Sequence, residues 1–385
     1  MKKILVLNTS YKIKGGEDSN IIEEISFLKN FFEVKYLEYK NEHRLTFIDF
    51  IAFFTRNNIT SNKLLINTID KFSPDLVYIH NTWFKANLGI FKILKKYNLP
   101  TFIKIHNYRF VCTNFFNINK HIKNELFCFR CNLSKENSLY FNKYFQESFL
   151  KSFFVILFSK KYIKILKDGF YKVIVMSNFQ KKYLETLGIS ENNIRIFANP
   201  ISIQNTIKFN LNSDYIVYCG RISKEKGVLE LIENFNKVNL KNTRLLLIGE
   251  GPMLESLKNK FNQYKKIIFL GGQPNNVSLE YISRSKGVVT ATKMYEVQPK
   301  LISEAVAFGI PVLFPNFGGM TELVPLNYPL MFSQFDYLDF REKLNYFNDS
   351  EFLNEVNKKL IQFTKDNLDI NSQKNNFSKA LGINF

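Results

Sequence analysis

The sequence predicts an α/β protein built from two doubly wound, Rossmann-like parallel-sheet domains that face each other across a cleft. Three observations carry this expectation. The chain has 385 residues, too many for one unit at a prior of roughly 150 residues per domain. Short, continuous apolar runs alternate with helix-length segments from end to end, which is how strands covered on both faces by crossover helices read. The rhythm then stops and restarts at Asn199-Pro200, a turn signal followed by a polar stretch to Asp214. The expected domains are therefore 1–198 and 199–365, with 366–385 a tail or helix that could return to the first domain.

In the first domain, Ile4-Leu-Val-Leu7 opens as a buried strand, followed by a loop holding Gly15 and Gly16 and a helix to about Phe31. Asp75 to His80, Thr101 to His106 and Val173 to Met176 are further β-rich runs, the second entered through Leu99-Pro100. In the second domain the strands are expected at 215–219, 244–248, 266–270, 287–290 and 311–314. Ligands of such sheets sit outside the carboxyl ends of the strands, which puts His80, His106 and Ser177-Asn178 at the functional edge of the first domain.

Composition narrows the partners. Lys and Arg total 53 against 34 Asp and Glu, a net charge of +19, which implies nucleic acid, a phosphorylated substrate or an acidic lipid surface. With 40 Phe and 19 Tyr the chain cannot remain disordered in water. The apolar run from Ile4 is cut at once by Asn8-Thr9-Ser10, too short for a signal peptide. The run Ser152 to Ser159 is closed by Lys151 and Lys160, well short of the ~20 apolar residues that cross a bilayer. A cytoplasmic protein is expected, peripheral on the inner membrane face if it meets lipid at all. Four cysteines make no disulfide scaffold in so long a chain.

The densest chemistry lies in Met294-Tyr-Glu296-Val-Gln-Pro-Lys300-Leu301-Ile-Ser-Glu304-Ala-Val-Ala-Phe-Gly309-Ile-Pro311-Val, followed by Gly318-Gly319. Two carboxylates stand eight positions apart, the first in a loop and the second inside the next helix, near its start. This stretch resembles the paired-glutamate motif of the family 4 retaining glycosyltransferases of the GT-B fold. In the same order, Tyr218-Cys-Gly220-Arg221-Ile-Ser-Lys-Glu-Lys226-Gly227 and Leu247-Ile-Gly249-Glu-Gly251-Pro resemble the family's strand and phosphate-loop segments. Gly15-Gly16-Glu17-Asp18 and His106-Asn107-Tyr108-Arg109 resemble its first glycine loop and its His-bearing segment. The resemblance spans roughly residues 1–365. It implies an acceptor-side N-terminal domain, a nucleotide-sugar-binding C-terminal domain, and no cofactor beyond a nucleotide-diphosphate sugar as co-substrate.

The residue types suit that chemistry. Arg221 offers a rigid fork for phosphate oxygens and Lys226 a point charge, both able to stabilise a leaving diphosphate. Gly15 and Gly16 allow close backbone approach, a positive φ and helix-start amides aimed at an anion. The resemblance adds that Glu304 meets the ribose hydroxyls, that Glu296 meets the transferred sugar, and that the amides through Lys300 and Leu301 meet the diphosphate. It places His106 at the donor sugar or its developing charge, and it implies no agreed covalent nucleophile. The sequence departs from the family at Val297-Gln298-Pro299, where Gly-Phe-Gly is common, and Pro299 has no N–H to donate.

Two features remain outside that frame. Cys112, His121, Cys128 and Cys131 have half the spacing of a zinc site, with buried free thiols the preferred reading and structural zinc or a redox pair the alternatives; no metal is expected. Cys219 should be inert in a buried strand. From Phe141 to Lys182, nine Lys stand against two acids, and Phe145, Phe149, Phe153, Ile156 and Leu157 fall at helical spacing. That pattern fits either a helix laid on anionic lipid or an apolar stripe packed on the sheet with solvated lysines. The expected reaction is transfer to a saccharide or lipid-linked acceptor in cell-surface polysaccharide synthesis. A basic nucleic-acid-binding protein and a GT-B epimerase or phosphorylase are the alternatives, although no nucleic-acid-binding motif is present.

Overall fold

Val, Ile and Leu runs with no polar interruption form the centres of two parallel sheets, since a strand covered on both faces has no solvated side to leave polar. The computed structural model describes residues 1–10, 16–41, 47–108, 149–201 and 209–383. Two units result. The described residues of the first are those up to 200 together with 375–383, and those of the second are 201 and 209–374.

The first unit runs β1 (Lys3–Ser10), α1 (Gly16–Leu28), β2 (Glu33–Lys40), α2 (Phe47–Thr55), α3 (Ile59–Phe72), β3 (Leu76–Asn81), α4 (Gly89–Lys96), β4 (Thr101–Lys104), α5 (Phe149–Leu166), β5 (Tyr171–Val175), α6 (Asn178–Thr186) and β6 (Ile194–Ile196). Its sheet has the order β2-β1-β3-β4-β5-β6, and every pair is parallel. The direction of winding reverses between β1 and β3, where a doubly wound sheet opens its ligand crevice.

The second unit runs β7 (Tyr215–Cys219), α7 (Val228–Phe235), β8 (Arg244–Ile248), α8 (Leu254–Phe261), β9 (Ile267–Gly271), α9 (Asn275–Ser283), β10 (Gly287–Val289), α10 (Lys300–Ala307), β11 (Val312–Pro315), β12 (Met331–Phe332), α11 (Tyr337–Asn345) and α12 (Ser350–Asn367). The order β12-β11-β10-β7-β8-β9 is all parallel, with its reversal between β7 and β10. Two glycines allow the loops there to close. A Cβ on Gly249 would meet the Gly220 carbonyl oxygen at 1.9 Å, and one on Gly227, at φ +66°, would meet that of Ala291 at 1.9 Å.

The last helix, α13 (Ile370–Leu381), starts in the second unit and from Asn375 counts with the first. Phe377 is fully buried there, edge-on to Phe27, Phe32 and Tyr78 at 6.1, 6.1 and 5.8 Å. In α5, Ile156, Phe158, Tyr162, Ile163 and Leu166 are buried; of the expected stripe, Ile156 packs into the unit, Phe153 and Leu157 are half-buried, and Phe145 lies outside the described residues. Among the described residues, no helix is long and apolar enough to cross a membrane.

Phe377→Ala should therefore destabilise the first unit by about 3–5 kcal/mol, the usual cost of emptying a large aromatic site. The chain's one Trp, Trp83, lies in the first unit, so its fluorescence in a urea titration reads that unit apart from the second. An unchanged midpoint would mean that α13 is not part of this core.

Candidate active site

The two units each assemble polar residues at the carboxyl ends of the strands that flank their winding reversal. In the second unit the chain leaves β7 at Cys219, turns through Gly220, and exposes Arg221, whose carbonyl accepts from the buried Tyr218 Oη at 2.9 Å. A short turn, Lys224–Lys226, then presents the Lys226 ammonium to Glu296 Oε1 at 2.5 Å. Thr292 Oγ1 donates to the same oxygen at 3.1 Å, and the Lys293 amide bonds the Glu225 carbonyl at 2.9 Å. The loops after β7 and β10 are thereby tied into one rim. Thr292 carried no signal in the sequence.

Pro299 precedes α10 at φ −67°, and its carbonyl accepts from the amides of Ile302 and Ser303. Leu301 is buried in the first turn, and Lys300 reaches Glu304 Oε1 at 3.7 Å. Glu304 is the fifth residue of α10, one turn inside the helix and not at its start. The thiol of Cys219 registers both neighbours: burial first pushes it up to about 11, Ser278 opposes this by a hydrogen bond, Glu304 raises it and Lys300 lowers it. That thiol is half-buried, at the end of a strand whose middle is buried. Arg221, Lys226, Glu296, Lys300, Leu301 and Glu304 thus all lie at one end of the second sheet, around its winding reversal.

In the first unit the helix after β1 begins at Gly16, which is exposed, helical and open, with nothing within 4 Å of where a Cβ would stand. The positive φ expected there is not adopted, and Gly15 lies outside the described residues. Glu17 of that first turn accepts from Asn107 Nδ2 at 3.0 Å, which brings the start of α1 beside the segment after β4. There His106 is half-buried, and its Nε2 stands 2.7 Å from Nδ1 of the buried His80. Gln180, fully buried, steadies the same segment by donating to the Ile105 carbonyl at 2.8 Å and accepting from the Met176 amide at 2.9 Å.

Beneath the histidines, Lys104 donates to both oxygens of Glu24 at 2.8 and 2.9 Å, with both side chains fully buried. Tyr78 Oη donates to Glu24 at 2.7 Å. The sequence did carry a signal for this pair: Glu24 interrupts the buried stripe Ile21, Ile25, Leu28, and Lys104 interrupts Phe102-Ile103 in a buried strand. Glu24, His80 and His106 stand close enough to share an ion, but Lys104 already neutralises the carboxylate, so the set is a poor cation site. Cys112, His121, Cys128 and Cys131 lie outside the described residues.

Residues 202–366 match the family model for glycosyl transferases group 1. Among relatives, an uncharacterized glycosyltransferase of Methanocaldococcus jannaschii is 30% identical over 132 residues, covering 33% of this chain and 32% of that protein. The O-antigen biosynthesis glycosyltransferase WbnH of Escherichia coli is 29% identical over 178 residues, 46% of this chain and 50% of that protein. The chain thus spans about a third to a half of the length of these curated relatives. Among solved structures, Anabaena HepE in complex with UDP and glucose superposes with a TM-score of 0.68 at 13% identity, covering 99% of this chain and 100% of that one. The lipopolysaccharide outer core galactosyltransferase WaaB in apo form gives 0.64 at 16% identity, covering 99% of each. This likeness is one of fold: the chain has the two-sheet GT-B architecture.

The buried imidazoles make a pH prediction. Burial, the neighbouring imidazole and Lys104 hold His80 well below the usual histidine range, and burial and Lys104 do the same for His106. Below about pH 6.5 the unfolded chain takes up protons that the folded pair refuses, so stability is full above that pH and is lost on acidification. The slope should reach up to ~1.4 kcal/mol per pH unit for each histidine. Urea titrations followed by Trp83 between pH 8 and 5.5 read it. Stability that rises on acidification would instead place a charged imidazole in the folded pair.

Proposed function

We propose that this chain, which carries a group 1 glycosyl transferase domain at residues 202–366, is a retaining glycosyltransferase. It moves a sugar from a nucleotide-diphosphate sugar to a saccharide or lipid-linked acceptor of a cell-surface polysaccharide. The observation that carries this reading is the gathering of Arg221, Lys226, Glu296, Lys300 and Glu304 at the β7/β10 reversal. The cations supply charge suited to a diphosphate, and the carboxylates acceptors suited to hydroxyls. The complex of HepE with UDP and glucose supports a nucleotide sugar as the donor class.

In this reading Arg221 and Lys226 take the diphosphate, with the amides of Lys300 and Leu301 contributing the positive end of α10. Glu304 accepts from the ribose hydroxyls, Glu296 and His106 engage the transferred sugar, and Gly15-Gly16 leave room for the ligand at the start of α1. The bond from the sugar's anomeric carbon to the diphosphate breaks as the acceptor hydroxyl bonds the same face. The departing phosphate oxygen receives the hydroxyl proton, so no protein nucleophile is needed. Charge developing on the leaving group is stabilised by cations already in place.

The same reading allows docking on an anionic membrane. A groove of about 720 Å³ in the first unit is lined by Arg56, Lys92, Lys95, Lys161 and Lys164, against which the one carboxylate, Asp168, is already paired with Lys95 at 2.7 Å.

Two experiments follow. Among UDP-, GDP- and ADP-sugars, the true donor at 100 times its Kd should add ~2.7 kcal/mol of stability, and NMR of the product should show the donor's anomeric configuration. Arg221→Ala and Glu304→Gln should each lower kcat/KM about 10- to 100-fold, the cost of a lost charged hydrogen bond, with an unchanged melting temperature. Wild-type rates in both variants would remove these residues from the site. For the groove, binding to vesicles should grow with anionic lipid and fall with salt, since each surface Lys contributes ~1 kcal/mol over a Debye length of about 8 Å. Arg56→Gln with Lys161→Gln and Lys164→Gln should lose that binding while keeping donor hydrolysis, and unchanged binding would make the groove an ordinary solvated face.

A further inference from the structure

His80 is 4% exposed, its Nδ1 lies 2.7 Å from Nε2 of His106, and its own Nε2 has no hydrogen-bond partner among the described residues. One proton lies between the two rings, and two neutral arrangements are open. In one, His80 donates from Nδ1 to His106 Nε2, so that His80 Nε2 is a bare lone pair and His106 carries its proton on Nδ1. In the other, His106 donates, which leaves an N–H on His80 Nε2 buried without an acceptor. An orphaned buried N–H is the rarer defect in folded proteins.

The surrounding charges keep both rings neutral, so the choice lies between these two arrangements. The Lys104 ammonium, in the same buried cluster, disfavours added positive charge on either ring. Glu24 has its two oxygens taken by Lys104 and Tyr78, and Glu17 accepts from Asn107; among the described residues neither carboxylate is hydrogen-bonded to His80 or His106. The edge of Tyr78 packs against the His80 ring at 4.9 Å between centroids, and the His80 and His106 rings lie near-parallel, at 28°, which fixes both planes. Nδ1 of His106 bonds to none of the described residues, so it is the edge of the pair left for a ligand.

We propose that His80 is a positioning residue that locks His106 in its Nδ1-protonated tautomer, so that the neutral imidazole offers an N–H donor, not a lone pair, to an oxygen of the bound sugar. This deepens the reading of His106 as a sugar-contacting group and rests on it for the role of the donor. It excludes His106 as a general base through that nitrogen.

The test separates the tautomer from the activity. Histidine-selective ¹⁵N labelling of the full chain, with two-bond proton–nitrogen correlation at pH 7.5, reads which nitrogen of His106 is protonated. Assignment uses single His→Gln variants of the four histidines. His106 protonated on Nδ1 in the unliganded wild type is expected, and protonation on Nε2 overturns the proposal whether or not the protein transfers sugar. His80→Asn places an amide N–H where Nδ1 stood, and should keep both the tautomer and the rate. His80→Leu should release the ring to its Nε2-protonated form and lower kcat about 10- to 100-fold, as loss of an orienting partner does elsewhere, with little change in donor KM. A wild-type kcat in a folded His80→Leu protein whose His106 has switched tautomer overturns the positioning role. Protonated Nδ1 in a chain that binds no nucleotide sugar would uphold the lock and instead sink the proposed function.

Discussion

The first unit is organised around the ion pair of Lys104 and Glu24. Both side chains have left water completely, and withdrawing two charges costs several kcal/mol per ion before their attraction is counted. Such a pair is tolerable only if every proton and lone pair near it is used. Both oxygens of Glu24 accept from Lys104, Tyr78 adds a third bond, and the ammonium lies 4.8 Å from the centre of the Phe197 ring. Phe377 closes the cover by packing on Tyr78 and Phe197. That is a physical reason for the last helix to belong to the first unit: without it, water would reach the pair and loosen the contact of α1 with β3 and β4. The two histidines stand beside this pair, and burial together with the Lys104 charge holds both well below the usual histidine range.

The second unit uses ion pairs in the opposite way. Lys226 and Glu296 keep 27% and 12% of their side-chain surface, and Lys300 and Glu304 keep 19% and 14%. A partly solvated pair contributes far less than a buried one and tolerates exchange of its partner. A ligand carrying phosphates and hydroxyls could replace each carboxylate beside its lysine, and each lysine beside its carboxylate, at modest cost. The fixed pair holds a geometry, and in the proposed reading the open pairs hold places for a ligand.

Much of this was legible in the sequence, and what was not has identifiable causes. The strands 215–219 and 244–248 fell where expected because continuous apolar runs have one reading. β2 was missed because it is an edge strand, with Glu33, Lys35, Glu38 and Lys40 along it, and nothing in such a pattern announces a sheet. β6 and β12 are three and two residues long, too short for any periodicity. The second-unit site residues fall in two short segments, 221–226 and 296–304, and it was the family resemblance that gathered them across some 70 positions. By contrast His80 meets His106 across 26 positions and Lys104 meets Glu24 across 80, contacts that only the sheet order creates. Each of the buried pair was visible as a charge interrupting an apolar run, but their partnership was not.

The segment Val297-Gln298-Pro299 shows how backbone chemistry passes a task to side chains. Val297 and Gln298 are buried, so this stretch packs as a wall and not as an open glycine turn. Pro299 offers no N–H, and its carbonyl draws the amides of Ile302 and Ser303 back into the helix. Of the first-turn donors, those of Lys300 and Leu301 remain as candidates for an anion, where a glycine turn would present more. A diphosphate held at this rim must then draw more of its attraction from Arg221, Lys226 and the Lys300 side chain than from helix-start amides. Charges on long side chains act over a greater distance and with less directional demand than amides do. In the proposed reading, recognition of a diphosphate at this rim is therefore set by charge more than by backbone shape.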